Sequence, residues 1–197
     1  MVSTLQVQVT HAVQRLLPNA LTVLRLALAP VIAWLLWRRH DAIALPLFLF
    51  AALSDFVDGM LARRWQQRSR FGAVADPLAD KATGVLVVVV LTLQDSLPLW
   101  LALAVVARDV VIVGGALAYH AAFGRVEMAP NALSKLNTAL LFVLLLGVLC
   151  ARAGLVPAGP WLQALLFATL ATIVASGVQY FVVWGRKASQ AHRAGRG

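Results

Sequence analysis

Residues 55–80 read DFVDGMLARRWQQRSRFGAVADPLAD and join two long apolar runs, residues 42–61 and 72–93. Each run is long enough to cross the hydrocarbon core of a bilayer as a helix. Half of the eight acidic residues of the chain lie in this segment, and they are Asp55, Asp58, Asp76 and Asp80. A charge at the centre of a membrane helix costs about 2.5–3.5 kcal/mol on insertion scales, and less near the interface. The segment therefore predicts a functional acidic cluster at the ends of two neighbouring membrane helices.

The composition of the whole chain favours an integral membrane protein. Of its 197 residues, 61% are hydrophobic and 13% are charged, whereas about 25% are charged in an ordinary soluble domain. These values argue against a cytosolic globular protein and a disordered chain, and the single cysteine argues against a disulfide scaffold. The net charge is +9, with most basic residues between or beside apolar runs. We expect anionic lipid surfaces and phosphorylated substrates as partners, and no nucleic acid.

The predicted fold is all-α, a polytopic membrane protein with six transmembrane helices and an N-terminal interfacial helix. The six predicted spans are Ala20–Trp37, Ala42–Leu61, Gly72–Leu93, Leu97–Ala118, Ala132–Cys150 and Trp161–Trp184. Residues 1–17 are predicted to form the interfacial helix, because apolar residues recur there at near-helical spacing. Residues 1–185 thus form a single membrane domain, and residues 186–197 form a basic flexible tail.

The distribution of lysine and arginine predicts the orientation. With the N-terminus inside, ten of these residues lie on the cytoplasmic side, in the interfacial helix, the loops and the tail. Arg38, Arg39 and Arg152 lie on the other side. Because positive residues concentrate in cytoplasmic loops, both termini and the acidic cluster are predicted to face the cytoplasm.

The spacing of the four aspartates predicts a shared metal site. Asp55 and Asp58 are three residues apart, and Asp76 and Asp80 are four apart, so each pair lies on one helix face. The two helices are joined by a short loop and are expected to pack antiparallel, which brings both pairs to one cavity. Four carboxylates repel each other unless cations neutralise them, and Mg²⁺ or Mn²⁺ prefers oxygen ligands. Two such ions about 3.5–4 Å apart form a clamp for phosphoryl-type displacement.

Two alternatives assign the aspartates other roles. They could form structural ion pairs with nearby basic residues, namely Arg63, Arg64, Lys81 and Arg108. Four acids on two matched helix faces favour a functional site over that interpretation. A divalent-cation transporter is the other alternative. Such a carrier is expected to have acidic or broken helices in several spans and often two related halves, whereas this cluster is confined to one segment.

The acidic segment resembles the signature of the CDP-alcohol phosphatidyltransferase family, in its phosphatidylglycerophosphate synthase and cardiolipin synthase branch. The signature reads D-x2-D-G-x2-A-R-x8-G-x3-D-x3-D. All eight fixed positions match, and they are Asp55, Asp58, Gly59, Ala62, Arg63, Gly72, Asp76 and Asp80. Residues 18–25, PNALTVLR, also resemble the family's entry into its first span. The family has six transmembrane helices with the motif across the second and third, as predicted here.

The resemblance implies that a CDP-linked lipid, usually CDP-diacylglycerol, gives its phosphatidyl group to an alcohol, and that CMP leaves. It implies that Asp55, Asp58 and Asp76 hold two Mg²⁺ or Mn²⁺ ions, and that Asp80 completes this site and is the catalytic general base. The implied CDP-binding residues are Asp55, Gly59, Ala62, Arg63, Gly72, Asn19 and Thr22. A homodimer in a bacterial inner (cytoplasmic) membrane is also implied.

Different parts of the sequence predict different acceptor alcohols. Residues 63–72, RRWQQRSRFG, resemble bacterial phosphatidylglycerophosphate synthases, whose acceptor is glycerol 3-phosphate. Residues 107–116, ARDVVIVGGA, and residues 134–138, SKLNT, are more similar to the CDP-alcohol type of cardiolipin synthase, whose acceptor is phosphatidylglycerol. Arg108 and Lys135 are predicted to hold the acceptor phosphate, since cations within membrane helices favour a functional interpretation. The alternative is that Arg108 and Asp109 only satisfy buried partners.

Overall fold

The computed structural model describes residues 23–65, 83–123 and 132–194. Six helices and no strand lie within these residues, which confirms the all-α class. The helices are α1 (Val23–Trp37), α2 (Asp41–Trp65), α3 (Thr83–Leu93), α4 (Leu99–Phe123), α5 (Ala132–Arg152) and α6 (Pro160–Ala194). The predicted interfacial helix, residues 1–17, and the first half of the predicted third span lie outside the described residues.

Two of the helices are long and apolar enough to cross a membrane by length and composition. They are Ala132–Arg152, which is the whole of α5, and Pro160–Val182, which is the first part of α6. Only 28% and 22% of these two apolar windows is buried, so they differ from the core helices of a water-soluble protein. The other four predicted spans, and with them the six-span topology, stay predictions.

Large apolar side chains are exposed on the other described helices too. The exposed fraction is 55% for Trp34 in α1, 65% for Leu93 in α3 and 63% for Val110 in α4. In water such surfaces would associate, whereas a bilayer solvates them. These exposed surfaces support membrane association of the chain.

The chain divides into two compact units, Met1–Gln94 and Asp95–Gly197. In the first unit the described core consists of buried aliphatic and aromatic side chains, among them Ile32, Leu36, Phe48, Val87 and Leu91. Gln94 follows α3 and donates from Nε2 to the carbonyl oxygens of Leu36 and Trp37, at 3.0 Å each. These carbonyls belong to the last turn of α1, where helical partners run out. Gln94 therefore ties the end of α3 to the end of α1.

The sharp stops of α1 and α5 have the same hydrogen-bond pattern. After α1, His40 N–H donates to the Leu35 carbonyl at 2.9 Å, and Arg39 has a φ of 61°. After α5, Leu155 N–H donates to the Cys150 carbonyl at 2.9 Å, and Gly154 has a φ of 74°. Both ends are Schellman caps, in which a left-handed residue closes the last turn. Pro160 then begins α6, at a position where its missing N–H loses no helical bond.

In the second unit, α6 packs against both α4 and α5. Its core is aliphatic, with Leu101 from α4, Leu144, Leu145 and Leu149 from α5, and Ile173 from α6 all buried. Gly147 on α5 allows the ring of Trp161 on α6 to approach the backbone closely, since a Cβ atom at Gly147 would lie 2.8 Å from Cζ3 of that ring. Further along α6, the ring of Phe167 stacks on Trp100 at a centroid distance of 6.4 Å.

Helix α6 is longer than the sequence predicts. The predicted sixth span ends at Trp184 and a flexible tail follows from residue 186, but the helix continues to Ala194. Residues 187–194 read KASQAHRA, and Ala, Lys, Gln and Arg are all strong helix formers. Residues 186–194 of the predicted tail are therefore helical. The apolar run ends at Trp184, but residues with high helix propensity continue beyond it.

Candidate functional site

Helix α2 carries five of the eight fixed positions of the acidic segment. Asp55, Asp58, Gly59, Ala62 and Arg63 all lie within its bounds, Asp41–Trp65. At 100° per residue these positions fall within an arc of about 140° around the helix axis. The helical backbone observed here therefore places the five residues along one face, as their spacing predicts. Their side chains lie outside the described part of the structure.

The other predicted metal and nucleotide ligands also lie outside the described residues. These are Gly72, Asp76 and Asp80 in the second half of the motif, and Asn19 and Thr22 before α1. Among the side chains that the structure does describe, no three of His, Cys, Asp or Glu lie together as metal ligands. The metal site and the CDP site thus stay predictions based on the motif.

A polar cluster in the second unit surrounds Arg108, one of the two predicted acceptor ligands. Arg108 donates from Nε to Oγ of Ser176 on α6 at 3.0 Å, and from Nη2 to Oγ of Ser134 on α5 at 2.6 Å. Its Nη1 contacts Oδ1 of Asp109 at 3.1 Å, next to it on α4. Only 9% of the Arg108 side chain and 20% of the Asp109 side chain is exposed. We call Arg108, Asp109, Ser134 and Ser176 the arginine cluster.

The arginine cluster uses three of the five N–H groups of the guanidinium. Nε has one N–H, and it is taken by Ser176, whereas Nη1 and Nη2 have two N–H groups each. One N–H on each terminal nitrogen therefore has no partner within the described residues. Arg108 thus has structural partners, and of these Ser176 is buried whereas Asp109 and Ser134 are half-buried. A predicted role toward an anion is still compatible with the two remaining donors.

A second polar contact joins α5 and α6, one turn after Ser134 on α5 and one turn before Ser176 on α6. Asn137 is 2% exposed, and its Oδ1 accepts a hydrogen bond from Oγ1 of Thr172 at 3.0 Å. Asn137 lies three residues after Ser134, and Thr172 four residues before Ser176. This pair fixes the two helices beside the arginine cluster.

Lys135, the other predicted acceptor ligand, is exposed. It directly follows Ser134, and neighbouring residues of a helix do not face the same way. Within the described residues no hydrogen bond joins Lys135 to Asp109, Ser134 or Ser176. The structure therefore places Lys135 beside the arginine cluster in the chain without making it part of the contact network.

Sequence reasoning missed Ser176. It sits in a predicted transmembrane run, IVASGVQYF at residues 173–181, where a serine is unremarkable because hydroxyls often bond their own helix backbone. Only the contact with Arg108, 68 residues earlier in the chain, gives it significance. The charge of Arg108 within an apolar run was the one usable signal, and it does not name the partner.

Comparison with known proteins assigns the family. The model of the CDP-alcohol phosphatidyltransferase family matches residues 15–184. That range contains the complete acidic segment and all four members of the arginine cluster.

Relatives with established names fall into two groups. The human cardiolipin synthase (CMP-forming) is 33% identical over 190 residues, covering 88% of this chain and 63% of that protein. A cardiolipin synthase (CMP-forming) of Streptomyces coelicolor is 39% identical over 103 residues, covering 49% of this chain and 48% of that protein. The CDP-diacylglycerol–glycerol-3-phosphate 3-phosphatidyltransferase of Cereibacter sphaeroides is 46% identical over 105 residues, covering 50% of this chain and 48% of that protein.

The lengths of these relatives limit what their names imply, since this chain spans 63% of the human protein and about half of the two bacterial ones. The family itself is fixed by the match over residues 15–184 together with the intact eight-position motif. This chain belongs to the CDP-alcohol phosphatidyltransferase family.

Proposed function

We propose that the protein transfers a phosphatidyl group from CDP-diacylglycerol to an alcohol and releases CMP. The observation that carries this proposal is the acidic segment, whose eight fixed positions are intact within the family match. In α2, five of these positions lie on one helix face. A transporter would not require glycine, alanine and arginine at fixed intervals between its acids, so the motif favours the enzyme.

The residue types suit a two-metal reaction on a diphosphate. Four carboxylates supply the hard oxygen ligands that Mg²⁺ and Mn²⁺ prefer, and Asp55, Asp58, Asp76 and Asp80 would hold two ions. When bound, such ions neutralise the diphosphate and the charge that develops on departing CMP. Asp80 takes the proton of the acceptor hydroxyl as general base, and the deprotonated oxygen attacks the phosphorus bonded to the diacylglycerol.

The remaining motif residues suit the nucleotide. Gly59, Ala62 and Gly72 have small or absent side chains, which lets the CDP group approach the backbone closely. Arg63 carries a permanent charge and a planar group of donors for phosphate or base oxygens. Asn19 and Thr22, in the stretch before α1, contribute further hydrogen bonds to CDP, together with Asp55.

We propose phosphatidylglycerol as the acceptor, which makes the protein a cardiolipin synthase. The relative that covers 88% of this chain carries that name, as does the one from Streptomyces coelicolor. Three members of the arginine cluster, Arg108, Asp109 and Ser134, lie in the two stretches that resemble this branch, residues 107–116 and 134–138, as does Asn137.

Charge also favours phosphatidylglycerol over glycerol 3-phosphate. Arg108 and Lys135 contribute two positive charges and Asp109 one negative charge, so the described residues at the proposed acceptor site sum to +1. Phosphatidylglycerol is a phosphodiester with one negative charge, whereas a phosphomonoester carries about −1.5 to −2 at pH 7. The site therefore matches the diester more closely.

Arg108 and Lys135 are the proposed ligands of the acceptor phosphate. Arg108 keeps one N–H on each terminal nitrogen within a largely buried site, and this pair can bind two phosphate oxygens at once. Lys135 is exposed beside Ser134, so it can reach the same anion from the side of the headgroups.

Glycerol 3-phosphate is the second candidate acceptor. The relative with 46% identity is a CDP-diacylglycerol–glycerol-3-phosphate 3-phosphatidyltransferase. Residues 63–72 also resemble bacterial phosphatidylglycerophosphate synthases.

We further propose that the protein acts as a homodimer in a bacterial cytoplasmic membrane, with the acidic segment and both termini in the cytoplasm. The lysine and arginine distribution supports this orientation. The exposed apolar faces of α5 and α6 support the membrane location.

One assay tests the reaction and the acceptor together. Purified protein in mixed micelles with CDP-diacylglycerol and Mg²⁺ or Mn²⁺ is offered phosphatidylglycerol or glycerol 3-phosphate, and CMP and the lipid product are measured. We expect CMP release with phosphatidylglycerol and cardiolipin as the product. Release with glycerol 3-phosphate alone would replace the first acceptor by the second. Release with neither, in a preparation that remains folded and binds CDP-diacylglycerol, would contradict the proposed function.

A further inference from the structure

We propose that Ser176 is a positioning residue, which fixes the guanidinium of Arg108 so that its two remaining N–H groups face the acceptor phosphate. This inference rests on the proposed role of Arg108 in binding that phosphate. Ser176 belongs to α6, a helix to which the family motif assigns no residue. It would not touch the substrate, and its effect would pass entirely through Arg108.

The donor pattern of the arginine cluster carries the argument. Ser176 accepts from Nε at 3.0 Å, and Nε has a single N–H. Ser134 and Asp109 each take one donor of a terminal nitrogen. One N–H on Nη1 and one N–H on Nη2 are therefore left over, and guanidinium donors of this kind bind phosphate oxygens.

Loss of the hydrogen bond between Arg108 and Ser176 should have a measurable effect, because both side chains are largely buried. Ser176 is 1% exposed and 9% of the Arg108 side chain is exposed, so water does not readily replace a missing acceptor at Nε. Without Ser176 the guanidinium would be anchored only through its terminal nitrogens, which are the atoms needed for the phosphate. The guanidinium could then rotate, and a terminal N–H group could donate to another acceptor instead of the phosphate.

A neighbouring hydrogen bond fixes the position of the Ser176 hydroxyl along the axis of α6. Asn137 and Thr172 bond across α5 and α6 at 3.0 Å, next to Ser134 and Ser176 respectively. Because both serines lie one helical turn from this contact, the two hydroxyls that hold Arg108 cannot slide past each other independently. The three helices thus define the plane of the guanidinium before an acceptor binds.

The test measures KM for the acceptor and for CDP-diacylglycerol, with kcat, in Ser176→Ala, Ser176→Cys and Ser176→Thr. Cysteine matches serine in size but is a weak acceptor, and threonine restores the hydroxyl. Loss of a hydrogen bond to a charged group predicts a rise of about tenfold in acceptor KM for Ala and Cys. KM for CDP-diacylglycerol should stay unchanged, and Thr should restore acceptor KM to within roughly twofold.

Two further variants make the failures distinguishable. Arg108→Gln should raise acceptor KM at least as much, and Ser176→Ala added to it should have no further effect, because both act through one group. Thr169→Val is the matched control, since Thr169 is a buried residue of α6 whose hydroxyl donates to the Leu165 carbonyl of the same helix. Its acceptor KM should equal that of the unmodified protein.

The outcomes separate the positioning role from the proposed function. If Arg108→Gln raises acceptor KM but Ser176→Ala and Ser176→Cys do not, the positioning role is wrong and the acceptor site stands. If Arg108→Gln leaves acceptor KM unchanged, Arg108 does not bind the acceptor, and both proposals for this site are overturned. If Thr169→Val raises acceptor KM as much as Ser176→Ala, the effect is general packing, which also overturns the positioning role.

Discussion

The acidic face of α2 and the arginine cluster are both charged sites in apolar helices, but they are assembled in different ways. Five motif residues of α2 lie within residues 55–63 of one helix, so the helical repeat alone brings them to one face. In the arginine cluster, Arg108 contacts Ser134, which is 26 positions later in the chain, and Ser176, which is 68 positions later, so the cluster joins three helices. The first site is encoded by local spacing and the second by packing, so the two should respond differently to perturbation.

Removal of divalent cations should have the largest effect, and it should act on the acidic site alone. Chelation is expected to lower CMP release by more than about 100-fold, because the ions would supply several kcal/mol of charge stabilisation. Added Mg²⁺ or Mn²⁺ should restore the rate. The arginine cluster needs no metal, so the thermal unfolding midpoint in detergent should change little. Full activity after exhaustive chelation would contradict the metal site.

A substitution in the packing of the second unit should change stability while the chemistry persists. In Gly147→Ala the new Cβ would lie 2.8 Å from Cζ3 and 3.0 Å from Cη2 of Trp161, whose Nε1 donates to the Pro157 carbonyl. Overpacking typically costs about 1–3 kcal/mol, and the better helix propensity of alanine offsets up to about 1 kcal/mol. We expect a net loss of roughly 1 kcal/mol in the free energy of unfolding, measured in detergent.

Gly177→Ala is the matched control for that variant. A Cβ at Gly177, one residue after Ser176, would meet nothing within 4 Å. The unfolding free energy should therefore be unchanged or slightly higher. If both glycine variants shifted stability in the same direction by the same amount, the close contact between α5 and Trp161 would be refuted.

A stability effect of similar size is expected at the end of α3, in the first unit. Gln94→Ala removes the two bonds from Nε2 to the carbonyls of Leu36 and Trp37. Since a net hydrogen bond contributes about 0.5–1.5 kcal/mol and one of these two is solvent-exposed, we expect a loss of about 1 kcal/mol. Gln163→Ala, at an exposed position of α6, should leave stability unchanged. An equal loss in both variants would show that the tie between α3 and α1 contributes nothing.

The same contrast explains what the sequence could predict of the fold. The predicted fifth span, Ala132–Cys150, matches α5 to within two residues, because an apolar run ends at a glycine and proline turn. Helix α6 continues ten residues beyond Trp184, the end of the predicted sixth span, since hydropathy marks where a membrane ends and not where a helix ends. Helices follow from local patterns, and so their boundaries are largely readable.

The candidate sites divide along the same line. The motif spacing names the acidic residues and their predicted chemistry without any coordinates. In the structure five motif positions lie on α2, and two of them, Ala62 and Arg63, lie beyond the predicted second span. Arg108 was predicted as a candidate from its charge within an apolar run, but its contact with Ser176 was not. That contact depends on how α4 and α6 pack, and no periodicity within either helix encodes it.

The most direct test of the central claim is CMP release by Asp80→Asn. Asparagine keeps the size of the side chain and one oxygen but cannot accept the acceptor's proton, so we expect kcat to fall by about 10²–10⁴-fold. Asp95→Asn is the control, because Asp95 is exposed with a φ of 58°, a conformation that asparagine also adopts. It should retain the full rate. If Asp80→Asn released CMP as fast as the unmodified protein, the acidic segment would not be the catalytic site.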